Sequence, residues 1–168
     1  MAELSPRDRL QPFLLDRLTD DQADARQESR ERRVFSLKQI QAGIMRDLGW
    51  LLNAKAHPKE DGLEEFPEVV KSVLNYGIQE MSGTSAAGAN MGEMERMVQL
   101  AIQNYEPRIA AHSLTVRALT EAETHHSNVL AFEIKGEIIA NPLPDPLYIK
   151  TEVDLETGQF AVKDRTNG

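Results

Sequence analysis

The hydrophobic period of this chain changes once, near Ser113, and that change restricts the folds open to it. Before this point large apolar residues recur every three or four positions; beyond it they alternate. Leu114, Val116 and Ala118 alternate with Thr115 and Arg117, and Leu130, Phe132 and Ile134 with Glu133 and Lys135. Leu147, Ile149, Thr151 and Val153 alternate in the same way with Lys150, Glu152 and Asp154. A period of two marks strands with one dry face and one wet face. Glu156-Thr157-Gly158 reads as a hairpin loop, after which Phe160 and Val162 continue the inner row on a last strand. Helices first and strands afterwards imply an α+β fold, with N-terminal helices on one face of a C-terminal antiparallel sheet of about four strands ending in a β-hairpin.

The helical half has its own punctuation. Ser36-Leu37-Lys38-Gln39 is a capping box, with Phe35 and Ile40 placed as a hydrophobic staple. Leu37, Ile40, Ile44, Leu48, Leu51 and Leu52 then line one face of a helix ending near Asn53. Pro67 suits the first turn of a second helix and Gly77 its C′ position, which makes Val69, Val70, Val73 and Leu74 its buried side. Asn90 followed by Glu93 starts a third helix carrying Met94, Met97, Val98, Ala101, Ile102 and Tyr105 on one face. Pro107 stops it. The proline-rich stretch from Asn141 to Pro146 is expected to project from the sheet, because its prolines cannot donate to a ladder.

Residues 1–33 read as an arm, partly helical or flexible, and residues 34–168 as one domain. The arm is charge-dense after Leu18. Its front carries an apolar stripe of Leu10, Phe13, Leu14, Leu15 and Leu18, which either meets a partner or folds back on the domain. With 19 Lys+Arg against 27 Asp+Glu the net charge is −8, which argues against nucleic acid as a partner. The chain has no cysteine, so disulfides, thiolate metal sites and thiol catalysis are excluded and a cytoplasmic setting is the expectation. Arg7, Asp8, Arg9, Asp16 and Arg17 interrupt the first apolar positions, and no window offers the ~20 apolar residues of a membrane span.

Glu106-Pro107-Arg108-Ile109 stands out at the junction of helix and sheet. Pro107 favours extended backbone, in which residues two apart share a face about 7 Å apart, so Glu106 and Arg108 form a two-headed polar clamp. One reading turns the clamp toward a partner's carboxylate, amide or arginine. The other pairs both residues within the chain, fastening helix to sheet. The terminal strands, Tyr148 to Asp154 and Gln159 to Lys163, are candidates for an edge that accepts a strand from another chain. Catalytic constellations are thin. Glu106 is the best single acid, but its arginine neighbour opposes a proton-donor role, and Glu133, Glu137, Glu152 and Asp154 read as solvated charge. Gly83 to Gly88 lacks the glycine spacing of a nucleophile elbow. His125-His126 points to opposite faces of a strand and lacks a third ligand, so no metal or cofactor is expected.

Five ordered blocks resemble one family. They are Leu14-Leu15-Asp16-Arg17-Leu18, Glu28-Ser29-Arg30-Glu31-Arg32-Arg33, Asp47-Leu48-Gly49-Trp50-Leu51-Leu52-Asn53, Ser72-Val73-Leu74-Asn75-Tyr76-Gly77 and Glu106-Pro107-Arg108-Ile109. Together they resemble the TssE family of type VI secretion baseplate subunits, similar to the baseplate wedge protein that starts the sheath of contractile phages. The resemblance implies a structural subunit, not an enzyme. It would join the wedge proteins TssF, TssG and TssK at a cytoplasmic baseplate docked on the inner membrane, where the TssB–TssC sheath begins. It further implies partner contact through Glu106, Pro107, Arg108 and Ile109. A terminal hairpin carrying Tyr148, Lys150, Glu152, Phe160 and Val162 would serve as a template for sheath strands. The rival reading is a lysozyme-like peptidoglycan glycosidase, a label long attached to the phage relatives; the 5% aromatic content offers little for stacking on sugars.

Overall fold

Two helices lie across one face of a four-stranded sheet. The computed structural model describes residues 14–18, 36–58, 62–79, 90–119, 129–139 and 144–164. The elements are α1 (Leu14–Leu18), α2 (Leu37–Asn53), α3 (Pro67–Val70), α4 (Met91–Tyr105), β1 (Thr115–Leu119), β2 (Val129–Ile138), β3 (Asp145–Asp154) and β4 (Phe160–Asp164). All neighbouring strands are antiparallel, in the order β1-β2-β3-β4. The α+β expectation and the closing hairpin are both present.

The helix starts follow their local chemistry. Ser36 accepts from the Gln39 amide while the Gln39 side chain accepts from the Ser36 amide, so two otherwise orphan donors are satisfied at the head of α2. Asn90 caps α4 by accepting from the Glu93 amide. α2 buries Ile40, Ile44, Leu48, Leu51 and Leu52, and α4 buries Met94, Val98, Ala101 and Ile102. The two rows meet the dry face of the sheet, α2 on the β4 side and α4 on the β1 side. Phe132 is fully buried at the centre, its ring stacked on Phe160 with centroids 6.3 Å apart.

Two sequence expectations change. Pro67 does begin a helix, but α3 lasts four residues and is followed by a 3-10 turn at Val73–Asn75. Val73 and Leu74, expected in the core, are 81% and 70% exposed. Ser72 breaks the helix, since its hydroxyl donates to the Val69 carbonyl and accepts from the Leu74 amide. The Tyr105 hydroxyl lies 2.9, 3.0 and 3.3 Å from the carbonyl oxygens of Asn75, Ser72 and Val70, gathering backbone that a continuous helix would hold apart. In the proline-rich stretch, Asp145 and Pro146 already belong to β3, where Pro146 faces Glu137. Phe35, Gly83 to Gly88, His125-His126, residues 141–143 of the proline-rich stretch and most of the arm lie outside the described residues.

Gly77 fixes how the chain returns from this loop. It sits at φ 124°, and the flanking amides tie Ile78 to Ala54 and Ala56. A Cβ at Gly77 would lie 2.4 Å from the Ala54 carbonyl oxygen, whereas one at Gly49, inside α2, would meet nothing within 4 Å. Gly77→Ala is therefore expected to lower stability by more than about 1 kcal/mol. Gly49→Ala should raise it by about 0.5–1 kcal/mol. Urea unfolding of the two variants checks both signs.

Candidate partner-binding site

Glu106 and Arg108 do come together, by a route other than the extended one expected. Pro107 forces Glu106 out of the helix at φ −121°, but the chain then turns, and the Ile109 amide donates to the Glu106 carbonyl at 3.2 Å. The Glu106 carboxylate closes that turn. Its Oε1 accepts from the Arg108 backbone amide at 3.2 Å and from Arg108 Nε, and its Oε2 accepts from Arg108 Nη2. Such a two-point guanidinium–carboxylate fit is available to arginine and not to lysine.

The pair faces inward. Glu106 is 3% and Arg108 8% exposed, while Pro107 at the crest of the turn is exposed and Ile109 beneath it is buried. Arg108 Nη2 also donates to Asp47 Oδ2 at 2.6 Å, which ties the turn to α2. Asp47 Oδ1 accepts from Arg46 Nε at 2.8 Å, and Arg46 Nη1 reaches Asp16 of α1 at 2.7 Å. Charges of alternating sign thus run from the α4–β1 junction across α2 to α1. On the other side of the turn, the Ile139 amide donates to the Arg108 carbonyl and the Ala110 amide to the Glu137 carbonyl, so the segment also pairs with the end of β2. Burial pushes the Arg108 guanidinium down, but its bonds to Glu106 and Asp47 outweigh this and hold it above its ordinary value.

Asp47, Arg46 and Asp16 had no assigned role in the sequence reading, although one signal was there. Asp47 lies three residues after Ile44 and four before Leu51, in phase with the buried row of α2. An acid in that phase needs a cation within reach.

The two outer strands differ in what covers their edges. Along β1, the Ala118 amide donates to Glu95 Oε1 at 2.7 Å, and Gln99 Nε2 donates to the preceding Leu114 carbonyl at 3.1 Å. Glu95 and Gln99 are one turn apart on α4, so the helix lays two polar side chains along that edge. On β4 the described residues cover only the start: the Phe160 amide donates to Asn53 Oδ1 at 2.9 Å and Asn53 Nδ2 donates to the Phe160 carbonyl at 3.0 Å. Backbone groups alternate sides along a strand, so Val162 and Asp164 face outward as Phe160 does, while Ala161 and Lys163 face β3. Among the described residues nothing bonds to those outward groups of Val162 and Asp164. Of the two candidate edge segments, β3 lies between β2 and β4, so the edge is β4.

Tyr148, Lys150 and Glu152 instead offer side chains to the wet face, where they are cross-linked. Tyr148 donates to Glu133, which also meets Lys135 at 2.8 Å and Arg117 at 3.6 Å. Glu152 meets Lys163 at 2.6 Å and Lys150 at 3.6 Å, pinning β4 to β3. Glu133 is therefore not the solvated acid expected. Its side chain is 13% exposed, and Lys135 and then Tyr148 hold its carboxyl below the ordinary 4.5.

The comparisons identify the class of molecule. A family model described as baseplate wedge protein gp25 matches residues 38–143, from α2 through β2, including the Glu106–Ile109 turn. The chain belongs to the baseplate wedge protein gp25 family, whose members are structural components of phage-like baseplates that contact other baseplate components. Neither the comparison with curated proteins nor that with solved structures found a match. No helix among the described residues is long and apolar enough to cross a membrane.

Arg108→Ala strands Glu106 in the interior and is expected to cost about 3–5 kcal/mol in urea unfolding. Arg108→Lys should recover part of this, since one ammonium cannot hold Glu106 at two points and reach Asp47 as well. The lowered carboxyl of Glu133 stabilises the fold above pH 4.5, and that contribution is lost as the pH falls through its native value. Glu133→Gln should accordingly flatten the stability profile below pH 4.5, measured by unfolding at a series of pH values.

Proposed function

We propose that this chain is a TssE-type structural subunit of a type VI secretion baseplate, joining wedge components and starting the contractile sheath at β4. The observation that carries the reading is the unequal covering of the two outer strands. α4 reaches both ends of the β1 edge, Glu95 at the Ala118 amide and Gln99 at the Leu114 carbonyl just before the strand, whereas β4 presents the outward backbone of Val162 and Asp164 for strand addition. On this reading the acceptor is β4 through the outward backbone of Val162 and Asp164, and the incoming strand comes from the TssB–TssC sheath.

The turn of Glu106, Pro107, Arg108 and Ile109 serves the wedge partners TssF, TssG and TssK by holding a shape. Pro107 is its outermost residue, and the side chain of Asp47 is 27% exposed beside it. Tyr148, Lys150 and Glu152 give the same subunit a second, charged contact surface on the wet face of the sheet. The molecule works on the cytoplasmic side of an inner-membrane-docked baseplate and has no catalytic step. Both oxygens of Glu106, the best candidate acid of a glycosidase, are taken up by Arg108, which supports the scaffold over the hydrolase.

Val162→Pro tests the reading. The Val162 amide faces away from β3, so a proline there keeps the β3–β4 ladder and removes one outward donor. The expected result is a folded protein that still enters the baseplate wedge and no longer supports sheath polymerisation in a reconstituted or cellular assay. Normal sheath growth from the folded variant would overturn the proposal.

A further inference from the structure

We propose that Asn53 is a register stop, ending the pairing of an incoming strand at Val162; the inference rests on the reading of β4 as the acceptor. The Asn53 amide treats Phe160 as a neighbouring strand would, taking its N–H on Oδ1 and giving a hydrogen to its C=O. The second Nδ2 hydrogen goes to the Gly49 carbonyl at 2.7 Å, within α2. Three contacts therefore orient the group, and the exchanged assignment of oxygen and nitrogen would set two donors against each other at the Phe160 amide.

A strand advancing along β4 meets different conditions at each outward residue. At Asp164 and Val162 its backbone replaces water. At Phe160 it would replace bonds already made, a one-for-one exchange. Pairing gains nothing by passing Val162. The position of the stop matters because a slip of one residue turns every side chain of a strand to the opposite face, and a slip of two moves it by about 7 Å. A side chain fixed to a helix end therefore gives every copy of the subunit the same starting register. β1 differs: Glu95 and Gln99 meet its edge at two separate points, the Ala118 amide and the Leu114 carbonyl.

Residue-resolved amide hydrogen exchange tests the stop, using the full chain alone and mixed with purified sheath subunits of the same secretion system. In the free wild-type protein the Phe160 amide should exchange slowly and the Val162 amide fast. With sheath subunits present, protection should appear at Val162 and Asp164. In Asn53→Ala the free Phe160 amide should exchange about tenfold faster or more while Ala161 and Lys163, bonded to β3, stay slow. Adding sheath subunits to this variant should then protect Phe160 as well. If Val162 and Asp164 become protected and Phe160 of the variant does not, the stop is overturned and β4 remains the acceptor. If neither Val162 nor Asp164 gains protection in either protein, the acceptor reading itself falls. Should Asn53→Ala fail to fold, Asn53→Ser, whose side chain is too short to span both groups, carries the same comparison.

Discussion

The buried ion pair between Glu106 and Arg108, extended to Asp47, is the constraint on which the arrangement of the two layers depends. Three parts of the chain meet there: the end of α4, the middle of α2 and the segment that pairs with the end of β2. Apolar packing alone would hold these parts together with latitude in their relative rotation, because burial of surface is nearly directionless. A guanidinium bound at two points to one carboxylate and at a third to another is directional. Replacing such a cluster by well-packed apolar residues is often neutral for stability, so its physical value here lies in fixing geometry. That suits a structural component of a baseplate.

The sheet is finished differently at its two sides, and the helices are responsible. α4 supplies Glu95 and Gln99 to β1, while α2 ends at Asn53 and covers only the first residue of β4. An uncovered strand edge invites pairing with other chains, and proteins ordinarily blunt it. In this molecule the blunting is partial. Glu152 and Lys163 pin β4 to β3 from the wet face, while among the described residues nothing bonds to the outward backbone of Val162 and Asp164. A strand that is anchored on one side and open on the other can accept a neighbour without leaving its own sheet.

Much of the architecture was legible from local rules. The capping box at Ser36, the Asn90 cap, the stop at Pro107 and the alternation of the strands depend on residues close in sequence, and each element stands where those signals put it. The second helix was not, because Val69, Val70, Val73 and Leu74 satisfy a helical period while Ser72 and the distant Tyr105 hydroxyl break it. The candidate site divides in the same way. Glu106 and Arg108 could be singled out from their place beside Pro107, but their inward direction depends on Asp47, sixty-one residues earlier than Arg108. The coverings of the edges by Asn53, Glu95 and Gln99 join side chains to the backbone of remote strands, a pairing to which neither periodicity nor composition is sensitive.

What most needs to be seen is the junction between baseplate and sheath at side-chain resolution, by electron cryo-microscopy of the assembled machine. The expected density shows a foreign strand bonded to the backbone of Val162 and Asp164, the Asn53 amide still on Phe160, and Arg108 still holding Glu106 and Asp47 of its own chain. A sheath that begins elsewhere on the subunit, with the edge of β4 facing only water, would contradict the account.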